Sequence, residues 1–152
     1  MARAPFQVLV FPYRPAAEDG LEYALLRRAD EGYWHVVAGG GEGYESPTQA
    51  ARRETQEEIG VGGHATLLPL DTVTSVPVTE FRDSYLWGEQ IYVIPEYCFG
   101  VEAGGAEIHL SAEHTEVCWV TYEEALVMLH HGGNKVALWE LDRRLRGLGP
   151  RD

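Results

Sequence analysis

The stretch Gly39–Val61, GGGEGYESPTQAARRETQEEIGV, joins a glycine-rich segment to a strongly charged helical pattern. Ser46 is a favourable N-cap, and Gln49 three residues later completes an S-x-x-Q capping box. Gly60 is a typical residue just past the end of a helix. The pattern therefore predicts a helix from about Pro47 to about Glu58.

Three carboxylates, Glu54, Glu57 and Glu58, stand at i, i+3 and i+4 in this helix and should project from nearly the same face. Like charges at this spacing repel one another, and the C-terminal half of a helix disfavours anions. A bound cation would explain the arrangement, and oxygen ligands suit a hard ion such as Mg²⁺. A solvated acidic helix face is the alternative interpretation of the three glutamates alone.

The spacing of seven residues across this stretch resembles the box of the Nudix hydrolase family, G-x5-E-x7-R-E-U-x-E-E-x-G-U, in which U is a bulky apolar residue. Here it reads Gly39-x5-Glu45-x7-Arg53-Glu54-Thr55-x-Glu57-Glu58-x-Gly60-Val61. All seven fixed letters match in register. Thr55 departs from the pattern at the first U position, and we expect its methyl group to pack inward.

The resemblance implies an α/β fold, the Nudix-type α/β/α sandwich with a mixed sheet, and hydrolysis of a diphosphate linked to another group. It implies that Glu54, Glu57 and Glu58 hold divalent cations, Mg²⁺ with Mn²⁺ as the alternative, and belong with Arg53 to the catalytic set. The backbone carbonyl of Ala38 is a further implied metal ligand. Arg53 and Glu45 are implied to form a structural ion pair between loop and helix.

Other segments resemble the bacterial dihydroneopterin triphosphate pyrophosphatase branch of the family, namely Val8–Val10, Leu25–Arg28, Tyr33–His35 and Ser111–Trp119. That branch carries a further metal-binding glutamate in a T/S-x-E-H-type segment, which Glu113 matches. The resemblance implies that Glu113 is a metal ligand or a catalytic base. An ordinary loop carboxylate is the alternative.

The substrate-binding candidates are Arg27, which could hold a phosphate, and Trp34 and Phe81, which could stack on a planar ring. The alternatives are a surface ion pair for Arg27 and core or rim positions for the two aromatic residues. Stacking on a ring and a core or rim position are also the two interpretations of Tyr33, Tyr85 and Trp87. The histidines His35, His114, His130 and His131 show no metal-ligand spacing, and we expect structural or surface roles. Pro77 lies near the position of a proline in the ADP-ribose hydrolases of the family.

The rest of the chain alternates between strand and helix patterns. Strands are predicted at Phe6–Arg14, Leu21–Arg28, Trp34–Val37, Ala65–Leu70, Thr72–Val78, Ile91–Val101 and Glu116–Thr121, with the third ending at the three glycines. Helices are predicted at Tyr122–His131 and, after a break at Gly132-Gly133, in a final segment that carries Leu138, Leu141, Leu145 and Leu148. This order favours a mixed sheet covered on both faces in one domain, residues 1–152.

The 152 residues carry a net charge of −12, which disfavours nucleic-acid partners and anionic membrane surfaces. With no apolar stretch near the ~20 residues that span a bilayer, we expect a cytoplasmic protein. Cys98 and Cys118 are expected to be buried reduced thiols, with a disulfide or a metal site as the alternatives. The oligomeric state stays open, a homodimer included.

These observations predict a Mg²⁺-dependent pyrophosphohydrolase with a small diphosphate-containing substrate. Dihydroneopterin triphosphate or a (d)NTP would be cleaved to the monophosphate and pyrophosphate. The alternatives are hydrolysis of ADP-ribose or nucleotide sugars, cleavage of dinucleoside polyphosphates, and a non-catalytic binding module of the same fold. Modules of that last kind typically lose box glutamates, whereas this chain retains all of them.

Overall fold

Strand β1 (Arg3–Pro15) organises the sheet, because it pairs with three neighbours along its length. The computed structural model describes residues 2–151. The other strands are β2 (Leu21–Arg28), β3 (Trp34–His35), β4 (Val37–Glu42), β5 (Leu67–Pro77), β6 (Val93–Glu102) and β7 (His114–Val120), and the helices are α1 (Pro47–Ile59), α2 (Tyr122–Met128) and α3 (Gly132–Leu145). Short 3₁₀ turns lie at Ala17–Asp19, Val78–Glu80 and Arg82–Trp87.

The sheet runs in the order β3-β2-β1-β6-β5, with β4 paired to β1 and β7 paired to β2. Strands β1 and β6 are parallel, while the other strand pairs among residues 2–151 are antiparallel. The predicted mixed sheet is therefore confirmed. The strand predictions at Phe6–Arg14 and Leu21–Arg28 are also confirmed, and β1 and β2 pair as neighbours through Tyr13 and Tyr23.

Alternate residues of β1 enter two different cores, which makes the fold a three-layer α/β/α sandwich. Val8 and Val10 pack on the α1 side with residues such as Ala51. Leu9 and Phe11 pack on the other side, with Leu25, Cys98, Leu138 and Leu141. Because side chains of a strand alternate between the two faces, one apolar run supplies both layers.

Helix α1 confirms the predicted capping. The Ser46 hydroxyl accepts from the Gln49 amide at 3.2 Å, and the Gln49 side chain accepts from the Ser46 amide at 2.8 Å. Gly60 follows the helix with φ of 72°, the left-handed conformation that glycine adopts without strain. Thr55 is buried as expected, and its hydroxyl donates to the Ala51 carbonyl at 2.7 Å.

Several predicted boundaries were wrong. The three glycines Gly39–Gly41 lie inside strand β4, which pairs with β1. A Cβ atom on any of them would collide with a side chain, that of Glu54, Arg3 or Phe6 respectively. The two strands predicted before and after Asp71 form the single strand β5, which has an irregular register between Pro69 and Val73. Gly132 and Gly133 begin helix α3, and the 3₁₀ segment at Arg82–Trp87 was not predicted.

The cysteine prediction holds in part. Cys98 and Cys118 are both free thiols, but only Cys98 is buried, and Cys118 is half-buried. Within residues 2–151, none of the helices has the length and apolar character needed to cross a membrane.

Candidate active site

Arg53 joins the glycine strand to helix α1. Its Nε and Nη2 donate to the two carboxylate oxygens of Glu45 at 2.8 and 2.9 Å, and Nη2 also donates to the Gly40 carbonyl at 2.8 Å. Its Nη1 donates to Glu54 Oε1 at 2.9 Å. The bidentate contact lowers the pKa of Glu45 below its usual value. The ion pair expected between Glu45 and Arg53 is thus present, and it ties the turn before α1 to the helix.

The glutamates of α1 do not share one environment. The side chains of Glu54 and Glu58 are only 12% and 3% exposed, whereas that of Glu57 is 58% exposed. Glu54 and Glu58 are one helical turn apart and both line the cleft beside β4. Glu57 is not among the residues that line this cleft, and its Oε2 accepts from Arg53 Nη1 at 3.2 Å.

Glu58 carries an unusual buried carboxylate. Its Oε1 has a long contact of 3.5 Å with the Ala38 amide, and its Oε2 is buried without a hydrogen-bond partner in the described part of the chain. Burial raises the pKa of Glu58, and the nearby carboxylates of Glu54 and Glu113 raise it further. A buried acceptor without a donor is costly, so this group calls for a ligand that the protein does not supply.

The segment before β7 brings two more side chains to Glu58. The amides of His109 and Ser111 donate to the Ile59 and Glu58 carbonyls at 2.9 and 3.1 Å, so this segment pairs with the free end of α1. It thereby places Glu113 and His114 where their ligand atoms and that of Glu58 lie within 4.8 Å of one another. His114, for which we expected a structural or surface role, is therefore part of the cluster.

The cluster fits a divalent cation. Glu58 Oε2 and His114 Nδ1 are both buried and have no hydrogen-bond partner among residues 2–151, and His114 Nδ1 lies 3.7 Å from Glu58 Oε1. Both atoms are able to ligate a metal. Carboxylate oxygens are the ligands that hard cations prefer, and an imidazole nitrogen also suits Mn²⁺. Glu58, Glu113 and His114 would hold such an ion, and Glu54 lies in the same cleft.

Gly39 permits the close approach of strand and helix at this point. A Cβ atom on Gly39 would lie 2.1 Å from the Glu54 carboxyl carbon, and its oxygens would be at 2.3 and 2.5 Å. No real side chain tolerates such contacts, so the Glu54 carboxylate occupies the space that a side chain would fill. The glycine at this position is therefore explained by the Glu54 side chain that packs against it.

A cleft of about 1090 Å³ opens from this cluster across the sheet. Its walls include Glu54, Glu58 and Glu113 at one end, the segment Thr74–Pro77 at the other, and Phe81 at the side. Ala38, implied to be a metal ligand, also lines the cleft. The cleft is large enough for a nucleotide-sized molecule, because ligand sites of this kind typically measure ~300–1,000 Å³.

Two substrate-binding candidates do not reach the cleft. Arg27 Nε donates to the Gly32 carbonyl, and Arg27 Nη1 pairs with Glu116 Oε1 at 3.1 Å. Trp34 is the register partner of Arg27 on β3, and its side chain packs against the core. Neighbouring residues of a strand point to opposite faces of the sheet, so a shift of one residue decides which side chain lines the cleft. Arg28 and His35 are the residues of these strands that line the cleft.

The remaining aromatic candidates have different positions. Phe81 lines the cleft and lies under the Arg3 guanidinium, 5.1 Å from ring centroid to Cζ. Trp87 supports it from behind and donates to the Arg3 carbonyl at 2.8 Å. Tyr33 lines the cleft and stacks on His130 at 4.5 Å, whereas Tyr85 is 76% exposed.

Sequence reasoning missed the floor of the cleft, where Gln7, Thr74 and Glu96 project from three different strands. The sequence held a weak signal, because Gln7 near the start of one strand run and Glu96 in the middle of another are polar residues among mostly apolar ones. Their common location depends on strand register, which the sequence alone did not reveal.

The Glu45–Arg53 pair allows a stability test. Replacing Arg53 with Ala is expected to lower both the free energy of unfolding and the activity, and a double-mutant cycle with Glu45→Ala should give a coupling energy of ~0.5–3 kcal/mol. Since the folded-state pKa of Glu45 is lowered, this coupling should be present above the usual carboxyl pKa and lost as the pH falls through the lowered value. Urea unfolding of the four proteins measures it, and additive effects at neutral pH would refute the coupling.

Comparison with known proteins identifies one family model and several relatives that match this chain. The model of the family described as NUDIX domain matches residues 6–139. The chain is 35% identical over 114 residues to an octanoyltransferase of Myxococcus xanthus, covering 72% of this chain and 29% of that protein. It is 29% identical over 117 residues to the dihydroneopterin triphosphate diphosphatase of Haemophilus influenzae, covering 75% and 73% of the two chains.

A solved structure adds to this likeness. A Nudix hydrolase crystal structure from Listeria monocytogenes superposes with a TM-score of 0.86 at 36% identity, covering 95% of this chain and 96% of that one. The present chain spans only 29% of the length of the Myxococcus protein, so the likeness to that protein concerns one part of it.

Proposed function

The chain belongs to the Nudix family, and on this premise we propose that it is a Mg²⁺-dependent pyrophosphohydrolase of a nucleoside-triphosphate-like substrate. Dihydroneopterin triphosphate or a (d)NTP is cleaved to the monophosphate and pyrophosphate. Family membership confirms the expected class of enzyme, a hydrolase of phosphoric anhydride bonds. The substrate, the metal ion and the roles of individual residues belong to the proposal.

The observation that carries the proposal is the partnerless carboxylate oxygen of Glu58, buried among acidic side chains at the end of a large cleft. Nudix hydrolases generally use divalent ions, and Glu58 and Glu113 belong to a group of side chains that could hold one, with Glu54 beside them in the cleft. When bound, the ion neutralises phosphate charge and lowers the pKa of a coordinated water. The proposal also includes Glu57, which lies outside the lining of the cleft, and the Ala38 carbonyl on β4.

The protein's own residues account for binding and proton transfer. Arg3 and Arg28 line the cleft, and their guanidinium groups can neutralise phosphate oxygens. Arg53 keeps Glu54 in place. A carboxylate of the cluster accepts the proton of the attacking water, which needs a base within hydrogen-bond reach.

A triphosphate suits this site better than ADP-ribose. It offers more metal-binding oxygens to a site with several carboxylates, and the Haemophilus relative is itself a dihydroneopterin triphosphate diphosphatase. ADP-ribose, nucleotide sugars and dinucleoside polyphosphates are the alternative substrates, and a binding module without turnover is the alternative of another class.

A substrate panel tests the proposal. With Mg²⁺ present, we expect dihydroneopterin triphosphate or a dNTP to give a kcat/KM at least ~10-fold above that of ADP-ribose, a difference of roughly 1.4 kcal/mol in transition-state binding. Pyrophosphate should be the released product. Release of orthophosphate, a preference for ADP-ribose, or the absence of turnover with every substrate would each contradict the proposal.

A further inference from the structure

A row of polar side chains crosses the floor of the cleft. Gly40 on β4, Gln7 on β1, Glu96 on β6 and Thr74 on β5 are register partners in four adjacent strands. Register partners project to the same face of a sheet, and Gln7, Glu96 and Thr74 all line the cleft. The row lies on the face of the sheet that also carries Leu9 and Cys98. It begins at Gly40, the neighbour of Gly39, whose α-carbon faces the Glu54 carboxylate, and both ends line one cleft.

Hydrogen bonds determine which atoms of this row face a ligand. Thr74 Oγ1 donates to Glu96 Oε1 at 2.6 Å, and Arg3 Nη2 donates to Gln7 Oε1. The Nε2 donors of Gln7 and the second carboxylate oxygen of Glu96 have no hydrogen-bond partner within residues 2–151. The floor therefore offers amide donors beside a carboxylate acceptor.

Glu96 also has no ion-pair partner among the described residues. Burial raises the pKa of this carboxyl group, and only the hydrogen bond from Thr74 opposes the shift. A half-buried carboxylate with a free oxygen is costly for the protein by itself. Hydrogen bonds from the N–H groups of a ligand would offset this burial cost.

We propose, on the basis of the proposed function, that Glu96 and Gln7 determine specificity by binding the edge of a 2-amino-4-oxopyrimidine ring, the ring shared by guanine and pterins. A carboxylate only accepts hydrogen bonds, and this ring edge presents a ring N–H and an amino group side by side. The Gln7 amide donates to the adjacent ring carbonyl. Adenine presents a ring lone pair beside its amino group, which a carboxylate repels.

The geometry of the sheet agrees with this placement. Glu96 is two strands from Gly40, which corresponds to ~10 Å at the usual strand spacing. The sugar or side chain and the first phosphate of the substrate can bridge this separation. The base edge would then lie at Glu96 and the phosphates near the carboxylate cluster, and Phe81 lines the same cleft.

The test compares dGTP with dITP, which lacks only the amino group. We expect the wild-type kcat/KM for dGTP to exceed that for dITP by ~10-fold or more, since a hydrogen bond to a charged group is worth about that factor. Glu96→Gln keeps the shape and the Thr74 contact but replaces an acceptor with a donor, and it should bring the ratio to within ~3-fold of unity. Glu102→Gln, the same change at an exposed position of β6, should leave the ratio unchanged.

Additional substrates distinguish the possible results of this test. Dihydroneopterin triphosphate distinguishes a pterin from a guanine substrate, since Glu96→Gln should lower kcat/KM most for the natural ring. Equal wild-type rates for dGTP and dITP, a preference for dATP, or an unchanged ratio in Glu96→Gln would overturn the inference while leaving the hydrolase proposal intact. If no triphosphate is hydrolysed, the proposed function fails. Calorimetric binding of dGMP and dIMP then tests the contact between Glu96 and the base. Tighter binding of dGMP supports the contact, and equal affinity overturns it.

Discussion

Replacing Glu58 with Gln should lower kcat by ~100-fold or more at saturating Mg²⁺, because a catalytic metal ion supplies several kcal/mol of transition-state stabilisation. Glu58 is the most buried carboxylate of the cluster and has a partnerless oxygen. The variant keeps its size and its position at the end of α1. Steady-state kinetics with pyrophosphate detection measures the effect, and near-wild-type turnover would refute the assignment of Glu58 to the metal site.

The same substitution should leave the metal-free protein as stable as the wild type or more stable. The folded-state pKa of Glu58 is raised, so the group stabilises the fold below the usual carboxyl pKa and this contribution is lost as the pH rises toward the raised value. In EDTA, the Tm of Glu58→Gln should therefore fall less between pH 5 and pH 8 than the Tm of the wild type. A variant that unfolds earlier than wild type at pH 8 would contradict this account of the burial cost.

Replacing Gly39 with Ala is expected to cost activity far more than stability. The new methyl group would meet the Glu54 carboxylate at 2.1 Å, and this flexible side-chain end can move aside without disturbing the core. Its displacement removes Glu54 from the cluster, so we expect the Mg²⁺ concentration for half-maximal activity to rise ~10-fold or more. The Tm should fall by only a few degrees, in the range of ~1 kcal/mol for a domain of this size.

Gly62→Ala is the matched control, because a Cβ atom at Gly62 meets no atom within 4 Å. It should retain both the Mg²⁺ dependence and the Tm of the wild type. Equal metal dependence in the Gly39 and Gly62 variants would show that the close approach of β4 to Glu54 has no role in metal binding.

The sequence by itself determined helix α1 and its charges. The capping box, the glycine at the C-terminal end and the i, i+4 relation of Glu54 and Glu58 are interactions within a few residues, so they can be predicted without knowing the rest of the chain. The order of strand and helix patterns along the chain likewise predicted a mixed sheet with two covered faces, which the two cores confirm. These local rules were enough for the fold class and for one side of the candidate site.

Only the tertiary structure decided what lies opposite that helix. His114 reaches Glu58 because the segment before β7 pairs with the last carbonyls of α1, a contact between residues distant in sequence. Arg28 rather than Arg27 lines the cleft because strand register fixes which of two neighbours points inward. The row of Gln7, Glu96 and Thr74 exists for the same reason: the relative positions of separate strands are set by the packing of the whole sheet, and no short-range pattern encodes them.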